Sequence, residues 1–101
     1  MNLRKDIMVD IETLGNETGS TIIQIAAIMF DVETGEQYSE FNIIADIEKN
    51  KTNVITGSTI KWWLDTNKDL FHHLLSSGTH SSDDVLHSFY EWVTAQGSKE
   101  E

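Results

Sequence analysis

"TIIQIAAIMFD", residues 21–31, is a long apolar run interrupted mainly by Gln24, and it decides the fold. Its richness in isoleucine and its length of about ten residues favour a central β-strand over a helix. "DVETGE" follows at once, and its Gly35 can adopt the left-handed conformation that ends a type I turn with a bulge. These two segments predict a strand that leads into a β-hairpin.

The segments on either side of this hairpin strand predict two more strands. Residues 5–11 form a short apolar run that predicts a buried strand. After the turn comes "QYSEFNIIADI", in which apolar residues recur with the period of two that places them on one face of a strand. They are Phe41, Ile43 and Ala45. We therefore expect a sheet of three antiparallel strands.

The second half of the chain has helical spacing. Ser58 can cap a helix that begins at "TIKWWLDTN", with Ile60, Trp63 and Leu64 on its buried face, and "KDLFHHLLSS" predicts a second short helix. A last helix is predicted over residues 82–96, where apolar side chains recur every three to four residues. They are Val85, Leu86, Phe89, Trp92 and Val93.

Composition limits the class of protein. At 101 residues the chain can form one domain, and its lack of cysteine, of a signal peptide and of any membrane-spanning apolar run predicts a cytoplasmic protein that does not bind membranes. Its net charge of -10 opposes non-specific attraction to nucleic acid and favours cationic partners, including metal ions. A nuclease remains compatible with this charge, because a catalytic metal offsets acidity where the phosphate docks.

"IMVDIETLG", residues 7–15, contains the strongest candidate for a chemical site. In a strand, Asp10 and Glu12 project from one face while Val9 and Ile11 enter the opposite layer. Paired carboxylates bind hard cations, and two metals about 3.5–4 Å apart are a common device for phosphodiester hydrolysis. Taken alone, the same two residues are better explained as surface acids in an acidic chain.

The order of the segments resembles the opening half of the DEDD 3'-5' exonucleases of the ribonuclease H-like superfamily. The likeness rests on "IMVDIETLG", a polar connection, "STIIQIAAIMFDVETGE", a strand that contains Phe41, and "STIKWWL". The likeness extends over nearly the whole chain. Within this family, the chain most resembles the phage and prophage branch, whose members are often labelled exoribonuclease or exodeoxyribonuclease. The ordered succession of motifs is far more specific than the acid pair alone.

This resemblance implies an α/β, ribonuclease H-like fold in truncated form: a three-stranded antiparallel sheet followed by two to three helices, with the later strands absent. Residues 1–101 would then be a single, incomplete exonuclease-like domain. The resemblance also implies that Asp10 and Glu12 are catalytic and bind Mg²⁺ or Mn²⁺, and that Thr13 and Leu14 line the pocket for the terminal nucleotide. The substrate would be the 3' end of single-stranded RNA or DNA.

The later acid motifs and the general base of that family lie beyond the matched segments, so we expect the chain to be nearly inactive by itself. The histidines do not replace them, because no pair shows a clear ligand arrangement with Asp10, and they are better explained as solvated or partly buried. They are His72, His73, His80 and His87. A haloacid dehalogenase phosphatase is disfavoured because its motif needs Asp where this chain has Glu12.

Trp62 is a further candidate for substrate binding. Adjacent helical residues point about 100° apart, so Trp62 and Trp63 cannot both face the core. We expect Trp63 to be buried and Trp62 to be half exposed, where it either stacks on a nucleic-acid base or packs along the rim of the sheet.

The alternative function, from a different class, is a non-enzymatic interaction module or a degenerate relative of the exonucleases. The resemblance places the first strand, residues 5–11, beside a fourth strand that this chain does not contain. An apolar strand edge of this kind recruits another strand. We therefore also expect a homodimer that pairs through the exposed first strand.

Overall fold

Three antiparallel strands form the amino-terminal half of the molecule. The computed structural model describes residues 5–97. Strands β1 (Asp6–Thr13), β2 (Ile22–Phe30) and β3 (Gln37–Ile44) lie in the order β1-β2-β3, so the predicted central strand is central. Gly35 has φ 79° in the β2–β3 turn, which confirms the predicted hairpin.

Two helices follow the sheet. After a short 3-10 turn, Ile47–Lys49, the chain forms α1 (Gly57–Ser76) and α2 (Ser82–Gly97). Helix α1 is bent at Asn67, whose φ of -161° and ψ of 76° are not helical, so it consists of the two helical segments that the sequence predicts. No helix within residues 5–97 combines the length and the apolar character needed to cross a bilayer.

Helix α2 covers one face of the sheet, which we call the covered face. Every second residue of β2 is buried on this side, and Val85 of α2 packs against Ile25, Ala27 and Phe41. The other side of the sheet, which carries Gln24 and Asn42 among others, is the open face. Because α2 packs on β2 and β3, β1 receives little cover from it.

Helix α1 packs at the end of the sheet where β1 ends and β2 begins. Its Trp63 stacks on Phe71, with ring centroids 5.2 Å apart and planes inclined by 9°. These rings and Leu74 form a core cluster with Leu14 and Ile23. Residues from both segments of α1 therefore belong to one cluster.

Two expectations about burial were wrong, and one further leucine is exposed. Val9 and Ile11 lie on the covered face but are 42% and 46% exposed, because α2 does not extend over β1. Leu64 is 53% exposed, since the buried stripe of α1 is centred on Trp63. Leu86 is likewise half exposed beside the buried Val85.

The predicted cap of the first helix was also wrong. Helix α1 begins at Gly57 with Thr56 as its N-cap residue, so Ser58 lies within the first turn. The Thr56 hydroxyl makes no capping bond and instead contacts Asn16, accepting from its backbone N–H at 3.2 Å. A contact between distant loops has taken the place of the local cap.

Candidate active site

Asp10 and Glu12 lie next to each other on the open face of β1. In the register of β1 with β2, Asp10 is opposite Ala26 and Glu12 is opposite Gln24. Residues directly opposite each other in an antiparallel pair share a face, so both carboxylates project to the side that no described helix covers. The strand period of two has placed them together as expected.

The two carboxylates differ in environment. Asp10 is exposed, whereas Glu12 is half-buried. Burial raises the pKa of Glu12 above its ordinary value, and the negative charge of Asp10 raises this pKa further. Glu12 therefore feels the charge of Asp10, as two groups that could share a cation must.

A β-bulge separates the acids from the residues that follow them. Glu12 pairs with Gln24 and Thr13 pairs with Ile22, so Ile23 is an extra residue on β2. Bulges bend a strand and redirect its side chains, and they are common beside active sites. Here Ile23 is fully buried, as the alternation of β2 requires, and both acids lie on the open face.

Thr13 and Leu14 are held by the protein itself. The Thr13 hydroxyl donates a hydrogen bond of 2.7 Å to the Gly15 carbonyl. Leu14 is 2% exposed and belongs to the core cluster under α1, so its side chain offers no surface to a ligand in this conformation. The roles of both residues in substrate binding stay predictions.

The paired tryptophans connect α1 to the acid-bearing strand. Trp63 is buried, as expected, and its indole N–H donates to the carbonyl of Thr13 at 3.3 Å. Trp62 is 52% exposed and meets the Trp63 ring nearly edge-on, with centroids 5.1 Å apart. The orientation of Trp62 is thus tied to the residue that follows Glu12.

Trp62 lines a shallow groove of about 370 Å³. The sequence analysis missed the three polar residues that share this groove, Asn16, Ser58 and Thr59. Spacing could have identified Ser58 and Thr59, because positions three and four residues before Trp62 lie on its side of a helix. Nothing local to Asn16 predicts its place there.

A larger cleft lies away from the acids. It has a volume of about 680 Å³ and is bounded by residues 19–22, residues 49–52 with Val54, and the start of α2. Neither Asp10 nor Glu12 lines it. Asp83 is the one carboxylate among its lining residues, so this cleft contains no paired carboxylates.

Among the remaining ionisable groups, Asp31 is buried, whereas His80 and His87 are exposed. His80 contacts the Thr79 hydroxyl at 2.7 Å, and His87 contacts Glu91 at 3.1 Å. Within residues 5–97, no group of three His, Asp or Glu side chains could hold a metal ion. Asp10 and Glu12 carry the carboxylate oxygens that Mg²⁺ and Mn²⁺ prefer as ligands, but they are two residues and not the three of a complete group.

The chain was compared with known proteins. The 3'-5' exoribonuclease Rv2179c-like domain matches it over residues 5–101. Among solved structures, cell-death related nuclease 4 (CRN-4) is similar with a TM-score of 0.53 at 16% identity. The match covers 95% of this chain and 32% of that nuclease, and at this identity it shows a common fold alone. No curated protein sequence matches.

The family match includes both carboxylates, the bulge that follows them and the two tryptophans. It extends through both helices, so it does not rest on a single short motif. The chain therefore belongs to the Rv2179c-like 3'-5' exoribonuclease domain family.

Proposed function

We propose that this chain is the metal-binding part of a 3'-5' exonuclease that hydrolyses phosphodiester bonds at the 3' end of single-stranded RNA or DNA. The observation that carries the proposal is the pair Asp10 and Glu12, side by side on the open face of β1 in a chain of an exoribonuclease family. A ribonuclease H-like fold and a place in the phage and prophage branch are part of the proposal and rest on the order of the sequence motifs.

Asp10 and Glu12 would hold Mg²⁺ or Mn²⁺. Mg²⁺ keeps several waters and is commonly bound by one or two carboxylates together with substrate phosphate, so two protein ligands suffice for a weak site. When bound, such a cation would polarise the phosphodiester and lower the pKa of the attacking water. A cation would also relieve the repulsion that raises the pKa of Glu12.

The terminal nucleotide would lie between the acids and Trp62. The exposed indole offers a stacking surface, and stacking on an aromatic ring contributes about 1–3 kcal/mol per base. The hydrogen bond from Trp63 to Thr13 holds this surface in a constant position relative to β1. We propose that Thr13 and Leu14 contact the same nucleotide, which for Leu14 requires its side chain to leave the core.

We propose that Asp10 and Glu12 are the catalytic carboxylates of this chain, and we assign no general base within residues 5–97. Loss of a positioned base commonly lowers a rate by about 10²–10⁴-fold, so little or no hydrolysis is expected. Binding is therefore a better test than turnover. The test measures fluorescence anisotropy of a labelled single-stranded RNA with a free 3'-hydroxyl, with and without Mn²⁺, against a circular RNA of the same sequence.

We expect weak binding of the linear RNA that requires Mn²⁺ and is lost in Asp10→Asn. Paramagnetic broadening by Mn²⁺ in NMR should begin at Asp10, Ile11 and Glu12. Broadening that begins instead at His72 or His80 would refute the metal site. Equal binding of linear and circular RNA would refute recognition of the 3' end.

A non-enzymatic interaction module is the second candidate, and the exposed apolar residues of β1 favour it. Such a module would bind its partner without a metal and would not distinguish Asp10→Asn from the unmodified chain. The same titrations therefore separate the two functions.

A further inference from the structure

Residues 49–64 form a positively charged segment in an acidic chain. The segment contains three of the seven lysine and arginine residues, Lys49, Lys51 and Lys61, and neither aspartate nor glutamate, whereas the whole chain has a net charge of -10. All three lysines are exposed. A polyanion that approaches the molecule is therefore attracted to this segment and repelled by the excess of acids elsewhere.

Hydrogen bonds hold this segment beside the end of the acid-bearing strand. Thr56 donates its backbone N–H to the Leu14 carbonyl at 3.0 Å, and the Val54 carbonyl accepts from the backbone N–H of Thr21 at 3.1 Å. Leu14 follows two residues after Glu12. These bonds therefore place the segment next to the end of β1 that carries Glu12.

The segment lines two depressions, one after the other. Its helical part lines the shallow groove, whose facing wall includes Asn16, and its loop part lines the larger cleft, whose facing wall includes residues 19–22. Lys49 and Lys51 are among the residues that line the cleft, against one carboxylate, that of Asp83. The two depressions thus follow the same pair of chain segments, and the cleft has the more cationic lining.

The loop that carries Lys49 and Lys51 is fixed in place. Lys49 Nζ donates one hydrogen bond of 3.0 Å to the Thr79 carbonyl, and an ammonium has three donors, so two are left for another acceptor. Between the lysines, Asn50 accepts from the backbone N–H of Ser82 and donates to its hydroxyl, each at 2.8 Å. The loop is attached to the start of α2 while both lysines stay exposed.

Lys61 brings positive charge to the groove itself. It follows three residues after Ser58, and residues at this spacing are neighbours on the surface of a helix. Ser58 and Trp62 both line the groove, so an ammonium group borders the exposed indole. Asp65, one turn further along α1, ends the segment that lacks acids. Charge therefore favours a path from Trp62 back towards the loop.

We infer that residues 49–64 bind the phosphates of the nucleotides that precede the 3' end, so that the chain prefers a longer single strand to a dinucleotide. This inference rests on the proposed function, which places the terminal nucleotide between the acid pair and Trp62. Beyond the acid pair, the open face of the sheet carries further carboxylates, Asp6 and Glu40. Repulsion from these carboxylates and attraction to the lysines both direct the strand over Trp62 towards the larger cleft.

The test compares two labelled RNAs with a free 3'-hydroxyl: a dinucleotide and a strand of about 8 nucleotides, which lies within the site sizes of single-strand binders. Fluorescence anisotropy measures the binding of each to the full chain with Mn²⁺ at several salt concentrations. We expect the longer RNA to bind about tenfold more tightly at low salt and to lose affinity more steeply as salt rises, because more counterions are released. In NMR, the longer RNA alone should shift the amides of residues 49–52.

Substitutions of the lysines test the role of charge. Lys49→Gln, Lys51→Gln and Lys61→Gln together should remove most of the preference for the longer RNA. They should also lower the slope of log affinity against log salt by about 2, since each phosphate contact contributes about 0.7 in a single strand. Arginine at the same three positions should retain the preference, because the charge is kept.

Lys68→Gln is the matched control for Lys51→Gln. Lys68 is also exposed but lies in the second segment of α1, outside residues 49–64. We expect Lys51→Gln to lower the salt slope for the longer RNA and Lys68→Gln to leave it unchanged. Amide dispersion in the free variants shows whether each of them is folded.

The outcomes separate this inference from the proposed function. Equal affinity of the two RNAs, or a length preference that survives in the triple glutamine variant, would overturn the inference. Binding of both RNAs that needs Mn²⁺ but not the lysines would keep the metal site and reject this surface. Binding of the longer RNA that needs the lysines, but neither Mn²⁺ nor Asp10, would keep this surface and reject the metal site.

Discussion

Asp10 and Glu12 show how one strand face can give two acids different properties. The exposed Asp10 keeps full access to water, whereas Glu12 loses part of its hydration and also feels the charge of Asp10. Both effects raise the pKa of Glu12 above its value in the unfolded chain. The folded state therefore binds a proton at Glu12 more readily than the unfolded state does.

Replacing Asp10 with Asn should lower the pKa of Glu12 in the metal-free protein, because one of its two causes is removed. The burial of Glu12 remains, so the pKa stays above its ordinary value. ¹³C NMR of the Glu12 carboxyl through a pH titration measures this shift. Asp6→Asn, on the same face but not among the causes of the shift, is the control and should leave the pKa unchanged.

The same substitution should affect stability in a pH-dependent way. Because folding raises the pKa of Glu12, the free energy of unfolding falls as pH rises through that pKa. Above the raised pKa, the whole of this loss of stability is present. Asp10→Asn should therefore stabilise the metal-free protein at neutral pH. In urea unfolding this gain should disappear in acid, where Glu12 is protonated in both states, and a gain independent of pH would contradict the explanation.

Gly35 is the residue on which the hairpin depends. Its φ of 79° lies in the left-handed region, and nothing lies within 4 Å of the position a Cβ would take. Gly35→Val should therefore destabilise the protein by about 1 kcal/mol or more through backbone strain alone. Gly35→Asn should cost less, because asparagine tolerates this region. Equal urea midpoints for both variants would argue against backbone strain as the cause.

At the scale of the element, α1 is two helical segments joined at Asn67. The Asn67 side-chain oxygen accepts a hydrogen bond of 3.1 Å from the backbone N–H of Leu70, so Asn67 caps the second segment. Phe71 and Leu74 of the second segment join Trp63 of the first segment in one core cluster at the end of the sheet.

Asn67→Ala should cost about 1 kcal/mol of stability because the second segment of α1 loses its cap. Asn67→Asp should keep most of this stability, since a carboxylate accepts the same hydrogen bond from the backbone N–H of Leu70. Ser58→Ala is the matched control in the first segment, where the side chain does not cap the helix, and should change the free energy of unfolding little. A large loss for Ser58→Ala would mean that the helix begins later than Gly57.

At the scale of the whole molecule, the connection between the helices is attached to the end of the sheet. Asp46 donates its backbone N–H to the His80 carbonyl at 2.7 Å, and Thr79 donates to Ile44 at 3.2 Å. Gly78 immediately precedes Thr79, and a Cβ at this position would meet the backbone of Ala45. This attachment positions α2 over the covered face of the sheet.

Gly78→Ala should break that attachment. The added Cβ would clash with the Ala45 carbonyl oxygen, and backbone atoms cannot yield as a flexible side chain can. Losing the two flanking hydrogen bonds should cost about 2 kcal/mol, and amide exchange at Asp46 and Thr79 should accelerate. Gly57→Ala, where no atom lies within 4 Å of the new Cβ, is the control and should be tolerated.

The sequence by itself determined the features that arise within a few residues. The period of two in β2 and in β1 follows from strand geometry, so the burial of Ile25 and Ala27 and the common face of Asp10 and Glu12 were predictable. The turn at Gly35 was predictable because glycine, which has no Cβ, adopts the left-handed conformation without a steric clash. The spacing of adjacent helical residues likewise separated the buried Trp63 from the exposed Trp62.

Only the tertiary structure decided which surfaces are covered. Val9 and Ile11 have the pattern of buried residues, but they are half exposed because α2 lies over β2 and β3. Leu14 is in the core because α1 returns to it from far along the chain, and the Thr56 hydroxyl contacts Asn16 in place of capping α1. Local patterns report the periodicity of an element, whereas burial depends on which distant element packs on it.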